Sequence, residues 1–397
     1  MIHVIGISGG LEDLSPRKQA LLSQAEVLVA SKRLLKELAQ HPAYKIPITS
    51  PFSKVFEEIK AFYEKEIVVL TSGDPLFYGL GKRLCEIFPL ETLCFYPAPS
   101  SIQEAFARLK MSWEDAKIIS LHNRKPRNLH LEIAPYRKVA FFTDPLYHPG
   151  AISSYLLEKG VEGEVFVCEN LGLPEERIVR GRLSEIRGRK FSPLNVMVLI
   201  KDPTPRRLLF GLPEEHYSYE KGLITKAEVR ASIVSALAPF PEATVWDLGA
   251  GSGAVGLELA RLCFQGETYL VERDVKRVQV IRQNLAQSGL DNVIVIHKPI
   301  AQALSQLPPP DLIFVGGGWE EVLGQKEGLL SALRPGVRLA GTFITFEPLL
   351  KALEFFEGWG FEVRFSSLWV ARGRAFPHAK HGLSCLNPVF LLMVKGR

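Results

Sequence analysis

Long uniform runs are what this sequence does without. No stretch reaches about 18 uninterrupted apolar residues, which excludes an ordinary membrane-spanning helix. The opening MIHVIGISGG enters a strand-like apolar run with no basic segment and long apolar core ahead of it, so no secretory leader is expected. Neither does any run of five Lys or Arg occur, and the net charge is only +5 over 397 residues; the phosphate-tracking stripe of a dedicated nucleic-acid binder is missing. Cysteine is scarce. Cys85, Cys94, Cys168, Cys263 and Cys385 are scattered, odd in number and free of CxxC spacing, which argues against a disulfide framework and a zinc site, predicts no metal, and fits a reducing, cytoplasmic setting. Internal repeats and low-complexity segments are also lacking, so the halves read as different domains and not as a duplication.

What is present is an ordinary folded composition: 47% hydrophobic, 10% aromatic and 23% charged residues. The length exceeds what one hydrophobic core sustains, so two domains are expected. From the start, short apolar runs (HVIGI, EIVVLTSGDP) alternate with helix-like segments (PRKQALLSQAEVLVAS, LFYGLGKRLCEIF), a rhythm that predicts a mostly parallel α/β sheet. Further strands are expected at 117–121, 138–144, 164–170 and 195–201. The Pro- and Arg-bearing DPTPRRLLFGLPEE follows, and the boundary is placed there, giving domains 1–203 and 204–397. The rhythm then restarts with a helix (TKAEVRASIVSALAPF), the strand TVWDLGAGSG, a helix to Leu262, TYLVERD, a helix to Gln287, VIVIHKP and DLIFVGGG.

The densest chemical signal is Val-Trp-Asp-Leu-Gly-Ala-Gly-Ser-Gly at 245–253. An apolar strand carries an acid, Asp247, at its end, and Gly249, Gly251 and Gly253 follow at alternate positions before a helix. Glycines there let the backbone turn tightly and approach a ligand closely. The acidic end of the next strand is where ribose hydroxyls are held in such sheets; Glu272, about 25 residues downstream of Asp247, fits that role.

This DxGxGSG spacing differs from the GxGxxG of pyrophosphate-binding dehydrogenases and resembles the class I methyltransferases, a Rossmann-like fold. With GLITKAEVRA (222–231), FVGGG (314–318) and LNPVFLLMVKG near the C-terminus, residues 215–397 resemble the decarboxylating precorrin methyltransferases of cobalamin synthesis. The resemblance implies S-adenosyl-L-methionine as methyl donor, in a pocket lined by Thr225, Gly249, Gly251, Gly253, Glu272, Ala301, Gly316, Gly317 and Gly318, with Asp247 at its strand end. Thr225 also reads as the N-cap of the next helix with Glu228 as capping-box partner, which is compatible with touching ligand.

In the N-terminal half, Gly6, Gly9 and Gly10 follow the first strand and SGDPLFYGLG (72–81) follows VVLT. Together with YPAPSSIQEAFARL (96–109), SLHNR (120–124), TDPLYHPGAISSYLLEKG (143–160) and ENLGLPEERIVRGRLSEI (169–186), these resemble the tetrapyrrole methylases, a bilobal α/β fold, over residues 1–200. The family's GxGPG opening is here Gly6-Ile7-Ser8-Gly9-Gly10, without the proline. The resemblance places Gly6, Gly73, Asp74, Ser100 and Ser101 beside a second S-adenosylmethionine. The two resemblances in one chain are those of the fused precorrin-6Y C5,15-methyltransferase (decarboxylating) family. That family implies methylation of carbons 5 and 15 of a precorrin-6 macrocycle, the first by the N-terminal domain and the second by the C-terminal domain, with loss of the ring C acetate carboxylate, and a homo-oligomer.

A sulfonium methyl is already activated, so no nucleophilic side chain is required, only placement. The polycarboxylate macrocycle calls for guanidinium and imidazole partners. Arg124 and Arg127 in one half, and Arg372, Arg374, His378, Lys380 and His381 in ARGRAFPHAKHG, are the candidates, the latter stretch as a substrate-facing loop. Ordinary solvated surface charge is the competing reading for each. Two rival functions are open. One is an RNA or other small-molecule methyltransferase, disfavoured by GGGW where amino-group methylases carry (N/D)PP(Y/F); the other is a chain whose N-terminal half is a non-catalytic module.

Overall fold

The computed structural model describes residues 1–122, 127–203, 209–220, 222–376 and 379–396, less the side chains of Arg374, Phe376, Ala379 and Lys380. The chain forms two compact units, one of residues 1–126 and 133–203, the other of 127–132 and 204–397.

The first unit holds two five-stranded sheets. In the first, β1 (Ile2–Ile7), β2 (Val27–Ala30), β3 (Tyr44–Pro47), β4 (Ile67–Ser72) and β5 (Leu93–Tyr96) pair all in parallel in the order β3-β2-β4-β1-β5. The strands are apolar on both faces because both are covered. Val4, Val29 and Val69 face the helix Phe52–Ala61, while Ile5, Leu28 and Leu70 pack with Leu22 and Leu34 on the opposite side. The second sheet consists of β6 (Ala116–Ser120), β7 (Lys138–Phe142), β8 (Gly163–Glu169), β9 (Arg177–Arg182) and β10 (Asn195–Lys201), ordered β6-β7-β10-β8-β9. Only β6 and β7 run parallel there, so the expectation of mostly parallel pairing holds for the first sheet and not for the second. Ile102, Ala105 and Phe106 of the helix Ser101–Leu109 cover one of its faces.

Two helix expectations are corrected. Residues 16–31 do not form one helix: it stops at Ser23, and Val-Leu-Val-Ala becomes β2. A four-residue apolar run buried on both faces has no periodicity to separate it from a helix. The second, expected from Leu76, starts only at Gly81, because the preceding residues close turns, with Asp74 Oδ1 accepting from Leu76 N at 2.8 Å and Pro75 O from Gly81 N at 2.9 Å.

The second unit has a seven-stranded sheet. Its strands are β11 (Val245–Leu248), β12 (Thr268–Glu272), β13 (Val293–His297), β14 (Leu312–Val315), β15 (Arg338–Phe343), β16 (Glu362–Leu368) and β19 (Val389–Lys395); β17 (Ala371–Phe376) and β18 (Ala379–Cys385) form a separate antiparallel pair. The order is β13-β12-β11-β14-β15-β19-β16, with the first five parallel and β19 antiparallel to both neighbours. One face packs Val245, Leu312 and Phe314 against Val229, Ile233 and Leu259; the other packs Trp246, Ile313 and Leu339 against Trp319, Leu349 and Phe356. Strand order reverses between β11 and β14, and in a doubly wound sheet the crevice at that switch is the ligand site. Among the described residues no helix is long and apolar enough to cross a membrane, and no group of three or more His, Cys, Asp or Glu is placed to hold a metal.

Candidate active site

At the end of β11 the backbone enters the left-handed region at Gly249, Gly251 and Gly253, with φ of 70°, 59° and 77°, which glycine adopts without steric cost. The three glycines do different things. A Cβ on Gly249 would lie 2.6 Å from Gly317 O, so this glycine lets the loops after β11 and β14 meet at the switch. A Cβ on Gly253 would lie 3.0 Å from Leu270 Cδ2, so that glycine lets helix and strand pack. Around Gly251 and Gly317 a Cβ would meet nothing within 4 Å, and both residues line an open cavity.

That cavity measures about 680 Å³, within the range of small-molecule and cofactor sites. Of the residues that the resemblance implies for a cofactor pocket, Gly249, Gly251, Glu272, Thr225 and the Gly316–Gly318 loop line this cavity. Asp247, Gly253 and Ala301 are not among its lining residues. Glu272 is 4% exposed and its carboxylate fixes the turn: Oε2 accepts from Gly251 N at 2.9 Å, and Oε1 from Arg273 N and Asp274 N at 2.9 and 3.0 Å. Asp247 lies behind the loop, fully buried. Its Oδ2 accepts from Gly256 N at 2.9 Å while Oδ1 has no partner. Burial pushes this carboxyl up to about 7, against the pull of the Gly256 N–H and with help from the Glu272 charge.

One wall of the cavity is the segment leading into the helix Ala227–Leu237. Thr225 does not cap that helix: Lys226 holds the N-cap position with no side-chain bond, and Glu228 turns away to Arg372. Inside, Arg230 and Glu258 form a fully buried ion pair at 2.8 Å. Arg230 also donates to the carbonyls of Thr225 and Leu212, and Glu258 accepts from Gly211 N (2.7 Å), Leu212 N (3.1 Å) and the Tyr217 hydroxyl (3.1 Å). Asn284 adds bonds to both backbone groups of Ser218 and to Ser252 O. Sequence analysis misses this network. Its signal is a single charge within each of two apolar helical segments, VRASIV and AVGLELA.

Of the substrate candidates, Arg124 and His378 lie outside the described residues, as does the side chain of Arg374. The stretch expected as a loop is instead the β17–β18 hairpin, whose end at Cys385 borders the cavity. Arg372 is engaged by Glu214 and Glu228 at 2.6–3.0 Å, which holds the Glu214 carboxyl down at about 2. His381 is exposed on β18, and Arg127 pairs with Glu267 at 2.7 Å.

In the first unit the ends of β1, β4 and β5 converge. A Cβ on Gly6 would fall 2.0 Å from Gly73 O and 2.8 Å from Ala98 N; one on Gly73, whose φ is +68°, would fall 3.1 Å from Ser100 Cα. Ser100 is the N-cap of the helix starting at Ser101, in a capping box with Gln103. Lys18 donates to Gly6 O (3.1 Å) and Pro97 O (2.8 Å), tying these loops, and burial lowers its pKa. Gly6, Gly73, Asp74, Ser100 and Ser101, which the resemblance places beside a second S-adenosylmethionine, lie at or just after the ends of β1, β4 and β5; Lys18 is not among the residues expected there.

A parallel sheet reversing at β11/β14, with a glycine turn held by a buried acid and β19 inserted antiparallel between β15 and the edge strand β16, defines a Rossmann-like methyltransferase domain. Residues 216–389 match the family model described as the precorrin methyltransferase domain, and residues 1–187 that of the tetrapyrrole (corrin/porphyrin) methylases. A Sinorhizobium protein named precorrin-6Y C5,15-methyltransferase (decarboxylating) is 32% identical over 354 residues, covering 87% of this chain and 84% of the relative. A Mycobacterium tuberculosis protein of the same name is 29% identical over 87% of this chain and 88% of its own. A Salmonella typhimurium cobalt-precorrin-7 C5-methyltransferase is 33% identical over 45% of this chain and 89% of its own. The chain belongs to the precorrin-6Y C5,15-methyltransferase (decarboxylating) family.

Proposed function

We propose that the chain uses S-adenosylmethionine at two sites to methylate carbons 5 and 15 of a precorrin-6 macrocycle and to remove the ring C acetate carboxylate, giving precorrin-8. Residues 1–203 carry the carbon 5 step, and 204–397 carry the carbon 15 step with decarboxylation. The observation that supports this best is the cavity at the β11/β14 switch. Gly251 and Gly317, among the glycines that line it, leave room that any Cβ would take, and Glu272 stands beside them with its remaining acceptor capacity toward ribose hydroxyls. When bound, the sulfonium cofactor supplies an electrophilic methyl group.

The chain's own work is placement. Glu272 holds the Gly251 turn, and the Arg230–Glu258 network holds the wall that carries Thr225, so the reacting carbon can be aligned without rearrangement; such preorganisation supplies several kcal/mol of a barrier. Loss of carbon dioxide leaves an electron pair that the conjugated macrocycle absorbs, so this step also asks for orientation. Lys226, Arg273 and Arg277 line the cavity and are its described cationic candidates for the macrocycle's carboxylates, whereas Arg372 is already engaged and His381, exposed on β18, is not among the lining residues. Incubating the purified chain with reduced precorrin-6 and methyl-labelled cofactor tests the proposal: mass spectrometry is expected to find two methyl groups gained and one carbon dioxide lost. A product with methyls on other atoms, or an unchanged macrocycle, sinks it.

A further inference from the structure

Two walls of the second unit's cavity come from parts of the chain far apart in sequence. Thr225, Lys226 and Val229, at the start of the helix Ala227–Leu237 and just before it, form one; Cys385, Leu386 and Asn387, at the end of β18 and just after it, lie on the other. The first wall is held from inside, since Arg230 bonds both the Thr225 carbonyl and the buried Glu258. The second is the end of a hairpin that pairs with itself and is not part of the seven-stranded sheet. Arg372 connects them. Its Nε and Nη2 donate to Glu228 Oε1 and Oε2 at 2.8 and 2.6 Å, and its Nη1 and Nη2 to Glu214 Oε2 and Oε1 at 3.0 and 2.8 Å. Glu228 sits in the first turn of the helix that carries Val229, and Glu214 is bound to the same helix start, accepting from Ala227 N at 2.9 Å. On the hairpin side, Arg372 faces Ser384, its neighbour Ala371 faces Cys385, and Leu386 N donates to Val370 O at 2.8 Å.

Two bidentate pairs fix a planar guanidinium in orientation as well as distance, which the point charge of an ammonium cannot match. The same bonds hold both carboxyls below their usual range, so all three groups stay charged around neutrality. We propose that Arg372 is a positioning residue of the carbon 15 site: spanning Glu214 and Glu228, it sets the gap between the two walls in which the macrocycle is aligned. With the guanidinium gone, the Thr225 wall stays where Arg230 and Glu258 hold it, and the hairpin side is released. The cofactor turn keeps its own support, Glu272. This role differs from the carboxylate binding expected for Arg372 from sequence, because the acceptors it grips belong to the protein. The inference rests on the reading of the cavity as the site of carbon 15 methylation and decarboxylation.

The test follows carbon dioxide release from reduced precorrin-6 by the full chain at saturating S-adenosylmethionine, with carbon 5 methylation and S-adenosylhomocysteine calorimetry as controls. Arg372→Ala is expected to lower kcat for carbon dioxide release roughly 10- to 100-fold, as misplacing a reacting group does, with a smaller change in KM. Each binding event for S-adenosylhomocysteine should keep its affinity within about threefold, and carbon 5 methylation its rate. Arg372→Lys should recover little of the loss. Glu228→Ala decides between positioning and direct binding. Glu228 is 44% exposed and its removal leaves Arg372 paired with Glu214, so no charge is stranded; on this proposal kcat falls as it does in Arg372→Ala. A guanidinium that binds the macrocycle directly gives the opposite pattern: a lower KM when Glu228 is removed, and a raised KM with kcat kept when Arg372 is removed. That pattern overturns the proposal, as does full activity in Arg372→Lys. A normal kcat in both alanine variants overturns it while leaving the site reading intact, whereas a wild-type chain that releases no carbon dioxide removes the site reading, and this proposal with it.

Discussion

Asp247, at the end of β11, carries a proton-linked consequence. Its folded-state carboxyl titrates near 7, because burial opposes the charged form, whereas in the unfolded chain it titrates in the ordinary range near 3.8. Below about pH 4 both states hold the proton. Between there and about 7 the folded state keeps it and the unfolded state has released it, so stability falls as pH rises, by on the order of a few kcal/mol in total. Asp247→Asn, which cannot ionise, is expected to flatten this decline: the urea midpoint should drop less between pH 5 and pH 8 than in the wild type. Equal drops would refute the assignment. Four of the five tryptophans, Trp246, Trp319, Trp359 and Trp369, lie in the second unit and make fluorescence a suitable readout. At this scale the glycine turn and Glu272 are legible because their conformational and charge requirements are local. The partners of Lys18 are not, since the carbonyls of Gly6 and Pro97 are brought to it by the ends of other strands of the sheet.

Among elements, the two ends of the segment 211–220 and 222–226 are tied by one buried pair, with Asn284 adding bonds at Ser218. Arg230 and Glu258 are each 0% exposed and join two helices to four backbone groups of that segment, at Gly211, Leu212 (both N–H and carbonyl) and Thr225. Removing one partner strands a charge away from water. Glu258→Ala should therefore cost about 3–5 kcal/mol in unfolding free energy, while the double replacement Arg230→Met with Glu258→Leu should cost less than either single change. A double variant less stable than both singles would show that shape, not charge, is what the pair contributes. The strongly patterned helices and the long parallel strands of this unit can be read from sequence. Short elements cannot: β2 hides in an apolar run next to a helix, and the β17–β18 hairpin is rich in the Arg, Gly and His that otherwise mark a loop. Pairing with neighbours decides both.

For the molecule as a whole, the proposed function gives each unit its own site, and the two steps should then come apart. Calorimetry with S-adenosylhomocysteine is expected to count two equivalents per chain. Glu272→Ala should reduce that to one, and with reduced precorrin-6 should yield a product carrying one added methyl and all of its carboxylates. A variant that still loses carbon dioxide would move decarboxylation to the first unit.

The threading of β19 between β15 and β16 has a further implication for how the protein is made. A ribosome delivers β15 and then β16 and the hairpin, but neither long strand touches the other; both wait for Val389–Lys395 to bridge them. Until then the nascent chain presents β15 with one edge unpaired, the kind of surface that recruits chaperones or seeds association. The same strand that closes the sheet thus sets the moment in synthesis at which this half of the enzyme can first be finished.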